Sequence, residues 1–533
     1  MGWNSYNYYN CFPNESIITE NAEGLVSLGL AKLGYIYVTP DCGWDANARD
    51  ADGRLRWNET LFPSGGGKVL GDFLHGLGLK FGVYSGGGYL QCGSTDLPAS
   101  LDYEIMDADT FASWGADALK YDNCYPDSPD VMVDYTSPGS TSPSRFQTMA
   151  DAIDNTSRDT VYQVCQWGVG TDVGKWASKI ADSWRISNDI QNNWKSIWRI
   201  TNEVVPYSKV TKPGAYPDMD MLTVGLRALS LEEERFHFGM WAINKSPLVI
   251  GCPMTTSLTP RESLEILANA EVIALNQDSL GEQAQLTRRY TEEEYDIWAG
   301  NLSGSRLVVG IANWKNDSQT VSIDLAGELG IASARATDVW ASEDIGRIQK
   351  SYTAVLAGHQ LQLLVLSDVV KASTVWKSAG YYLATNATLS GNAAKYACSN
   401  SDDENECLPS HTKVVNIGPG ASAASVVVTE VAASSTGGKL LGVDFINYDT
   451  ALQSAWEGGS NTRNMTISVN GGEPKRWAFP ISGGDWYETG RLLVHVDGFE
   501  VGGTNTVEFR AVDGGASSWA PDLVGFEMLE RAG

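Results

Sequence analysis

The first half of the chain alternates short apolar runs with amphipathic stretches. The runs at residues 35–38, 80–84, 118–121 and 161–164 have the length and composition of buried strands. Between them, apolar residues recur at the spacing of a helix face, as in Ala22, Leu25, Val26 and Leu30, and again in Val69, Phe73, Leu74 and Leu77. Strand followed by helix, repeated over about 280 residues, predicts a parallel sheet covered by helices.

Two architectures fit this pattern: an open doubly wound sheet and a closed (β/α)8 barrel. No glycine-rich phosphate turn follows an early strand, and polar residues recur at strand ends instead: Asp41, Tyr84, Asp122, Cys165, Asp189 and Asp218. In a barrel the carboxyl ends of all strands converge on one mouth, so these residues can share a pocket. We therefore predict a (β/α)8 TIM barrel over residues 1–283.

The pattern changes after the barrel to strands without intervening helices. Alternating apolar positions at 306–311, 320–323 and 360–366 predict an antiparallel β-sandwich over residues 284–370. From residue 373 to 533 the composition shifts toward Ser, Gly, Ala and Thr, with strand candidates at 440–446, 465–469, 492–496 and 506–511. Closely spaced strands of this kind predict a C-terminal β jelly-roll module.

The charge balance narrows the partners. The chain has 38 Lys and Arg residues and 65 Asp and Glu residues, which gives a formal net charge of -27. Nucleic acid and anionic membrane surfaces would be repelled, so we expect neither as a partner. No run of about 20 apolar residues is present, which also argues against a membrane span. The sequence does not specify an oligomeric state.

Cysteines and glycosylation sequons favour a secreted, extracellular glycoprotein. The cysteine count is even, at eight, and none forms a CxxC pair; with five scattered His, we expect no metal site. The short spacing of Cys398 and Cys407 predicts a local disulfide. Asn-x-Ser/Thr sequons occur at Asn14, Asn58, Asn155, Asn244, Asn301, Asn316, Asn386 and Asn464.

Two aspartates are candidates for glycosidic chemistry, which needs two carboxyls flanking one bond. Asp122 follows an apolar strand and shares a strand face with Lys120, a cation that would hold it ionised as a nucleophile. Asp189 lies four residues after Arg185. Viewed singly, Lys120 and Asp122 also fit a structural ion pair, and Asp189 a helix cap or a surface acid.

At these residues a family becomes recognisable. The motifs are Met1-Gly2-Trp3-Asn4-Ser5-Tyr6, Asp41-Cys42, Lys120-Tyr121-Asp122-Asn123-Cys124, Cys165-Gln166-Trp167, Trp184-Arg185 with Asp189, and Pro217-Asp218-Met219-Asp220-Met221-Leu222. Together, over residues 1 to about 370, they closely resemble glycoside hydrolase family 27, the α-galactosidase and α-N-acetylgalactosaminidase family.

The resemblance implies a barrel followed by an antiparallel β domain, and retaining double displacement without a cofactor. Asp122 matches the nucleophile and Asp189 the acid/base, with carboxyls about 5–5.5 Å apart. It further implies disulfides Cys11–Cys42 and Cys92–Cys124. The residues it implies for substrate binding are Tyr6, Asp41, Tyr84, Lys120, Cys165, Gln166, Trp167, Arg185 and Asp220; for Tyr6 and Tyr84, core packing is the alternative.

Departures from the family pattern bear on which sugar the site accepts. Relatives usually carry adjacent aspartates where this chain has Thr39-Pro40-Asp41, so a carboxylate for the galactose hydroxymethyl group is missing. Gln166 replaces an acid expected near the 2-hydroxyl, and Val169 leaves little room for an acetamido group. We predict an exo-acting α-galactosidase acting on oligosaccharides or galactomannan side chains.

Three alternatives remain beside that prediction. A β-L-arabinopyranosidase of the same family would need no hydroxymethyl contact. A catalytically inactive glycan-binding protein would not need both aspartates, and a metal-dependent barrel isomerase would need clustered His and acids that the chain lacks.

The C-terminal module is similar to family 35 carbohydrate-binding modules in its strand pattern and in residues 519–526. Trp477, Trp486, Tyr487 and Trp519 are candidates for stacking on a glycan, with core packing as the alternative. Calcium is common in such modules, so a structural calcium ion is considered there, without assigned ligands.

Overall fold

The structure is a computed structural model of the chain. It describes residues 1–132, 141–168, 172–373, 375–398, 406–418, 424–450, 461–512 and 519–532. The chain forms two compact units. The first contains Met1–Ile200 and Val210–Glu282, and the second contains Thr201–Lys209 and the described residues from Gln283 onward.

Eight parallel strands form the sheet of the first unit. They are β1 (Gly2–Asn4), β2 (Tyr37–Thr39), β3 (Lys80–Gly86), β4 (Ala118–Asp122), β5 (Val161–Cys165), β6 (Ser183–Arg185), β7 (Tyr216–Asp218) and β8 (Val249–Ile250). Their order is β7-β6-β5-β4-β3-β2-β1-β8. A parallel bridge between Leu222, just after β7, and Ile250 of β8 joins the two ends. The sheet is therefore closed, which confirms the predicted barrel.

Helices alternate with these strands. They are α1 (Tyr6–Tyr9), α2 (Glu15–Ser27), α3 (Gly67–Gly76), α4 (Glu104–Trp114), α5 (Ser142–Asp154), α6 (Val173–Ala177), α7 (Trp194–Glu203), α8 (Leu231–Ile243), α9 (Arg261–Leu267) and α10 (Ala270–Asn276), with 3-10 turns at Leu30–Leu33 and Val205–Lys209. A capping box starts α8: the Ser230 hydroxyl accepts the Glu233 N–H, and the Glu233 carboxylate accepts the Ser230 N–H.

For two residues, the prediction that they lie on a buried helix face is wrong. Ala22 and Leu25 are buried, but Val26 is 38% exposed and Val69 is 50% exposed. The buried residues of α2 are Ile18, Asn21, Ala22, Gly24 and Leu25, so the buried face centres on the side of Asn21 and Leu25. At about 100° per residue, Val26 lies beyond Ala22, at the solvent edge of that face. On α3 the buried pair is Leu70 and Leu74.

The second unit begins with one antiparallel sheet. Its strands are β9 (Gln285–Tyr290), β10 (Tyr295–Leu302), β11 (Arg306–Asn313), β12 (Gln319–Asp324), β13 (Ile331–Asp338), β14 (Glu343–Gln349), β15 (Ser351–Leu356) and β16 (Leu361–Lys371), and α11 (Leu325–Leu329) follows β12. They pair in the order β12-β15-β14-β13-β16-β11-β10-β9. Apolar side chains such as Val309, Ile323 and Leu364 meet in a single core.

Two further antiparallel sheets complete the second unit. Their strands are β17 (Trp376–Leu383), β18 (Thr388–Ser390), β19 (Ala394–Ala397), β20 (Thr412–Val415), β21 (Ser425–Ala433), β22 (Gly437–Ile446), β23 (Arg463–Val469), β24 (Lys475–Phe479), β25 (Gly490–Phe499), β26 (Gly502–Ala511) and β27 (Asp522–Arg531), with a 3-10 turn at Ala384–Asn386. One sheet runs β19-β20-β27-β22-β25, with β17 also on β27, and the other runs β18-β21-β26-β23-β24. Val443 of β22 and Phe509 of β26 belong to one shared core, as in a sandwich.

Within the described ranges, no helix combines the length and the apolar character that crossing a bilayer requires.

Candidate active site

A cavity of about 150 Å³ opens at the carboxyl ends of the barrel strands. The predicted site residues that line it are Tyr6, Asp41, Tyr84, Lys120, Asp122, Trp167, Arg185, Asp189 and Asp220. Both predicted catalytic carboxyls therefore face one cavity, at the end of a barrel where active sites form. A larger cavity, about 290 Å³, lies at the amino ends of the strands and is lined by neither of them.

Asp122 is held by neutral donors. It ends β4, where its Cα lies opposite Gly86 of β3 and Cys165 of β5. Its Oδ2 accepts a hydrogen bond from the Tyr84 hydroxyl (2.9 Å). Its Oδ1 accepts from the Trp167 indole (3.1 Å) and from its neighbouring Asn123 N–H (2.9 Å). These contacts fix the direction in which the carboxylate points.

The charge environment of Asp122 differs from the prediction that a cation beside it keeps it ionised. Lys120 Nζ instead bonds to Asp41 Oδ2, at 2.7 Å. Burial raises the pKa of Asp122 above its ordinary value, with Asp189 and Asp41 adding to the rise and Lys120 opposing it. Burial outweighs the lysine because a charged carboxylate loses most of its hydration there.

Asp189 has a different environment. Its side chain is 29% exposed, and its Oδ1 accepts a hydrogen bond from Arg185 Nη2 at 2.9 Å. The same Nη2 lies 2.9 Å from Asp220 Oδ2. One guanidinium, 4% exposed, therefore bridges two carboxylates at the cavity wall.

Asp220 also organises backbone near Asp189. Its Oδ2 accepts the N–H of Ile190 and its Oδ1 accepts the N–H of Met221, both at 2.7 Å. Because Ile190 directly follows Asp189, the first bond restrains the chain that carries the second catalytic candidate. The resemblance implied a substrate-binding role for Asp220; its contacts add a structural one.

Lys120 and Asp41 form a buried ion pair beside two aromatic rings. Asp41 Oδ2 also accepts from Asn4 Nδ2 at 2.7 Å, and its Oδ1 accepts the Cys42 N–H at 3.0 Å. The lysine Nζ lies 5.6 Å from the Tyr6 ring centroid and 5.3 Å from that of Tyr84. The aromatic faces stabilise its charge at the cavity floor.

Asn4 is a site residue that sequence reasoning missed. It lies on β1, directly beside the strand after which Asp41 follows. The signal was present, since Asn4 stands inside the Met1-to-Tyr6 motif, but only the pairing of β1 with β2 shows that its amide reaches the Asp41 carboxylate.

Two predicted substrate-binding residues do not line the cavity. Cys165 is buried, and its Sγ accepts from Arg185 Nη1 at 3.6 Å. Gln166 is fully buried, and its amide donates to the Ser142 hydroxyl at 3.3 Å. Trp167, by contrast, lines the cavity but gives its N–H to Asp122. Val169, on which the argument against an acetamido group rests, lies outside the described residues.

The three predicted disulfides are present: Cys11–Cys42, Cys92–Cys124 and Cys398–Cys407. The first two line the cavity wall, and the second ties down the chain two residues after Asp122. Cys165 and Cys252 are free and buried.

No metal site is evident in the part of the chain that the structure describes, where no group of three or more His, Cys, Asp or Glu side chains is placed to hold an ion. The structural calcium ion considered for the C-terminal module stays a prediction.

Two carboxylates that face one cavity at the strand ends of a closed (β/α)8 barrel are the groups that hydrolysis of a glycosidic bond needs, which points to a glycoside hydrolase. Sequence comparison narrows this class. The family described as "Alpha galactosidase A" matches residues 5–278, and "Alpha galactosidase C-terminal beta sandwich domain" matches residues 292–366. The chain belongs to this α-galactosidase family.

Individual relatives agree with the family match. Alpha-galactosidase D of Emericella nidulans is 37% identical, over 99% of this chain and 95% of its own length. The crystal structure of alpha-galactosidase I from Mortierella vinacea is 33% identical with a TM-score of 0.65, covering 70% of this chain and 98% of that one. A β-L-arabinopyranosidase from Geobacillus stearothermophilus, 24% identical with a TM-score of 0.61 over 70% and 97% of the chains, shares the fold.

Proposed function

We propose that this protein is a retaining exo-glycosidase that hydrolyses terminal α-linked galactose from oligosaccharides or galactomannan side chains. The observation that carries the proposal is that Asp122 and Asp189 line one cavity and have different environments, since the first is buried and the second is partly exposed. The relatives named as α-galactosidases support the sugar, and the family supports retention of configuration.

The reaction proceeds in two displacements. In the first, an Asp122 oxygen attacks the anomeric carbon while Asp189 gives its proton to the leaving oxygen, so the glycosidic bond breaks as the glycosyl–enzyme ester forms. In the second, Asp189 takes a proton from water, the hydroxide attacks the anomeric carbon, and Asp122 departs as carboxylate. Tyr84, Trp167 and the Asn123 N–H stabilise the carboxylate whenever it is released.

The contacts around Asp41 bear on which sugar is preferred. Its two oxygens already accept from Lys120, Asn4 and Cys42, and the preceding Pro40 is buried and offers no side-chain acceptor. A hydroxymethyl group therefore lacks the carboxylate that a second aspartate would supply. This weakens rejection of β-L-arabinopyranose, which has no such group.

Kinetics on an aryl α-galactoside and an aryl β-L-arabinopyranoside test the function. We expect the higher kcat/KM on the galactoside. A reversed ratio would reassign the enzyme as an arabinopyranosidase, and no turnover of either sugar would leave the inactive glycan-binding alternative.

For the C-terminal module we propose glycan binding through exposed aromatic rings. Trp519 is 43% exposed, and its ring lies so close to Gly418 that a Cβ there would meet it at 2.5 Å. A side chain at position 418 would therefore displace the indole, and the glycine leaves room for it. Trp477 is excluded, because it is 4% exposed and belongs to the sandwich core.

The module proposal predicts that Trp519→Ala weakens retention on insoluble galactomannan without changing kcat/KM on a soluble aryl galactoside. Tyr103→Ala, which removes a 42% exposed aromatic from the barrel unit, is the matched control. Equal retention of both variants and the parent would refute it.

We also propose that the protein is secreted. The support is the three disulfides, which persist in oxidising compartments, together with the sequons. Fractionation of the source culture, with activity assayed in medium and cells, tests this; activity confined to cells would contradict it.

A further inference from the structure

Asp218 is the last residue of β7, and it is not among the described residues that line the active-site cavity. Its Cα lies opposite Arg185 of β6. Its Oδ1 accepts the N–H of Asp220 at 2.8 Å. Asp220 has a φ of +77°, a left-handed conformation that costs about 1–2 kcal/mol in a residue with a Cβ. The bond from Asp218 therefore holds a backbone turn that would otherwise relax.

That turn controls the surroundings of the acid/base. The Asp220 carboxylate accepts from the N–H of Ile190 and contacts Arg185, and Arg185 in turn donates to Asp189. Displacing Asp220 would thus loosen both the backbone after Asp189 and the cation that orients its carboxyl. By contrast, none of the hydrogen bonds that orient Asp122 passes through Asp220.

The carboxyl of Asp218 also contributes charge. The charged groups that face it are Arg185 on β6, Lys120 on β4 and Asp220 beyond β7. Burial raises the pKa of Asp218 to about 6, Asp220 adds to the rise, and Arg185 and Lys120 oppose it. Above that pH the group is ionised and shares the positive charge of Arg185 with Asp189 and Asp220.

We propose that Asp218 is a positioning residue for acid/base catalysis, acting on Asp189 through Asp220 and Arg185. This inference rests on the proposed function, in which Asp189 protonates the leaving group. It predicts that replacing Asp218 lowers kcat/KM most on substrates whose leaving group needs that proton.

The test compares two galactosides. One is an alkyl galactoside or disaccharide, whose leaving group requires protonation, and the other is dinitrophenyl α-galactoside, whose leaving group does not. We expect Asp218→Ala to lower kcat/KM on the first by about tenfold or more, a fraction of the 10²–10⁴ that general acid catalysis contributes. On the second we expect a change of about twofold or less.

Asp218→Asn separates position from charge, because its amide oxygen can still accept the Asp220 N–H. We expect it to recover most of the activity lost in the alanine variant. The asparagine side chain does not ionise, so the variant also loses the negative charge that Asp218, with its pKa raised to about 6 by burial, carries beside Arg185 at higher pH. The dependence of kcat/KM on pH should therefore differ from that of the parent.

The matched control is Asp182→Asn. Asp182 precedes β6 at the opposite end of the barrel, where its carboxylate likewise accepts a backbone N–H, that of Tyr162, at 2.9 Å. It should leave both the leaving-group dependence and the pH profile unchanged.

The inference is overturned if Asp218→Ala lowers both substrates equally, or if the Asp218→Asn profile coincides with that of the parent. The asparagine variant keeps the test decisive should the alanine variant fail to fold. If the parent enzyme itself hydrolyses neither galactoside, the proposed function fails, and that result is distinct from either outcome.

Discussion

Replacing Lys120 by Met removes the cation of a buried ion pair and leaves its partner behind. Asp41 is 1% exposed, and Lys120 Nζ is bonded to it at 2.7 Å. Breaking one side of a buried pair costs about 3–5 kcal/mol, because the remaining charge is uncompensated. Asn4 still donates a hydrogen bond to the Asp41 carboxylate. We therefore expect the free energy of unfolding to fall by an amount near the lower end of that range, about 3 kcal/mol. At about 2 °C per kcal/mol, Tm should fall by about 6 °C.

The same substitution should change the pH dependence of activity. Lys120 is the largest influence opposing the raised pKa of Asp122, so its removal raises that pKa further. The nucleophile must be ionised to attack, and the acid limb of kcat/KM reports this ionisation in the free enzyme. In Lys120→Met the acid limb should move to higher pH.

Thermal unfolding and a pH series on an aryl galactoside measure the two effects. Lys80→Met is the control, because Lys80 is an exposed strand lysine whose Nζ also lies near a tyrosine ring, 5.1 Å from the Tyr37 centroid. The double variant Lys120→Met/Asp41→Asn, which buries no charge, should recover stability. An unchanged Tm, or an acid limb that stays in place or moves to lower pH, would refute the reasoning.

Three other outcomes are expected. With azide and a dinitrophenyl galactoside, Asp122→Ala should yield β-galactosyl azide, because azide replaces the nucleophile on the opposite face; Asp189→Ala should yield α-galactosyl azide, because azide replaces water. Identical products from both would contradict the assigned roles. Burial raises the pKa of Asp45 to about 8 in the folded state, so its contribution to stability is present below about pH 4 and is lost as pH rises toward 8. Asp45→Asn should therefore unfold at higher temperature than the parent at pH 8 and show no such advantage at pH 4; the opposite order would exclude this linkage. In material made by a glycosylating host, peptide mass spectrometry should find a glycan at Asn155, which is exposed, and none at Asn244, which is fully buried. A glycan at Asn244 would show that the sugar is attached before that site folds.

The barrel and most of its cavity residues could be predicted because strand ends are visible in the sequence and a barrel gathers them at one mouth. The partners of those residues could not. Period-two alternation places Lys120 and Asp122 on one face, yet the lysine bonds to Asp41, two strands away, because β4, β3 and β2 lie side by side. The partner of a charged side chain depends on distances between neighbouring strands. The alternation of residues along one strand does not reveal those distances.

Gln166 shows a related limit. Its position directly after β5 made it a candidate for the cavity, but it is fully buried and donates to Ser142, the first residue of α5. After a strand ends, alternation no longer predicts the side to which a side chain turns, because the backbone has left the extended conformation. Trp167, one residue later, has a φ of +72°, and this turn directs its indole N–H at Asp122.

The two aspartates differ in their access to solvent, and the difference matches the tasks proposed for them. Asp122 is buried and receives three hydrogen bonds from neutral donors, so its direction is fixed and its charge is reached only by a ligand in the cavity. Asp189 is partly exposed and is oriented through the guanidinium that it shares with Asp220. A nucleophile gains from fixed geometry and partial desolvation, whereas an acid/base has to exchange protons with a leaving group and then with water. With the roles reversed, the group that activates water would be the one closed off from it, and for this reason the geometry favours attack by Asp122 and proton transfer by Asp189.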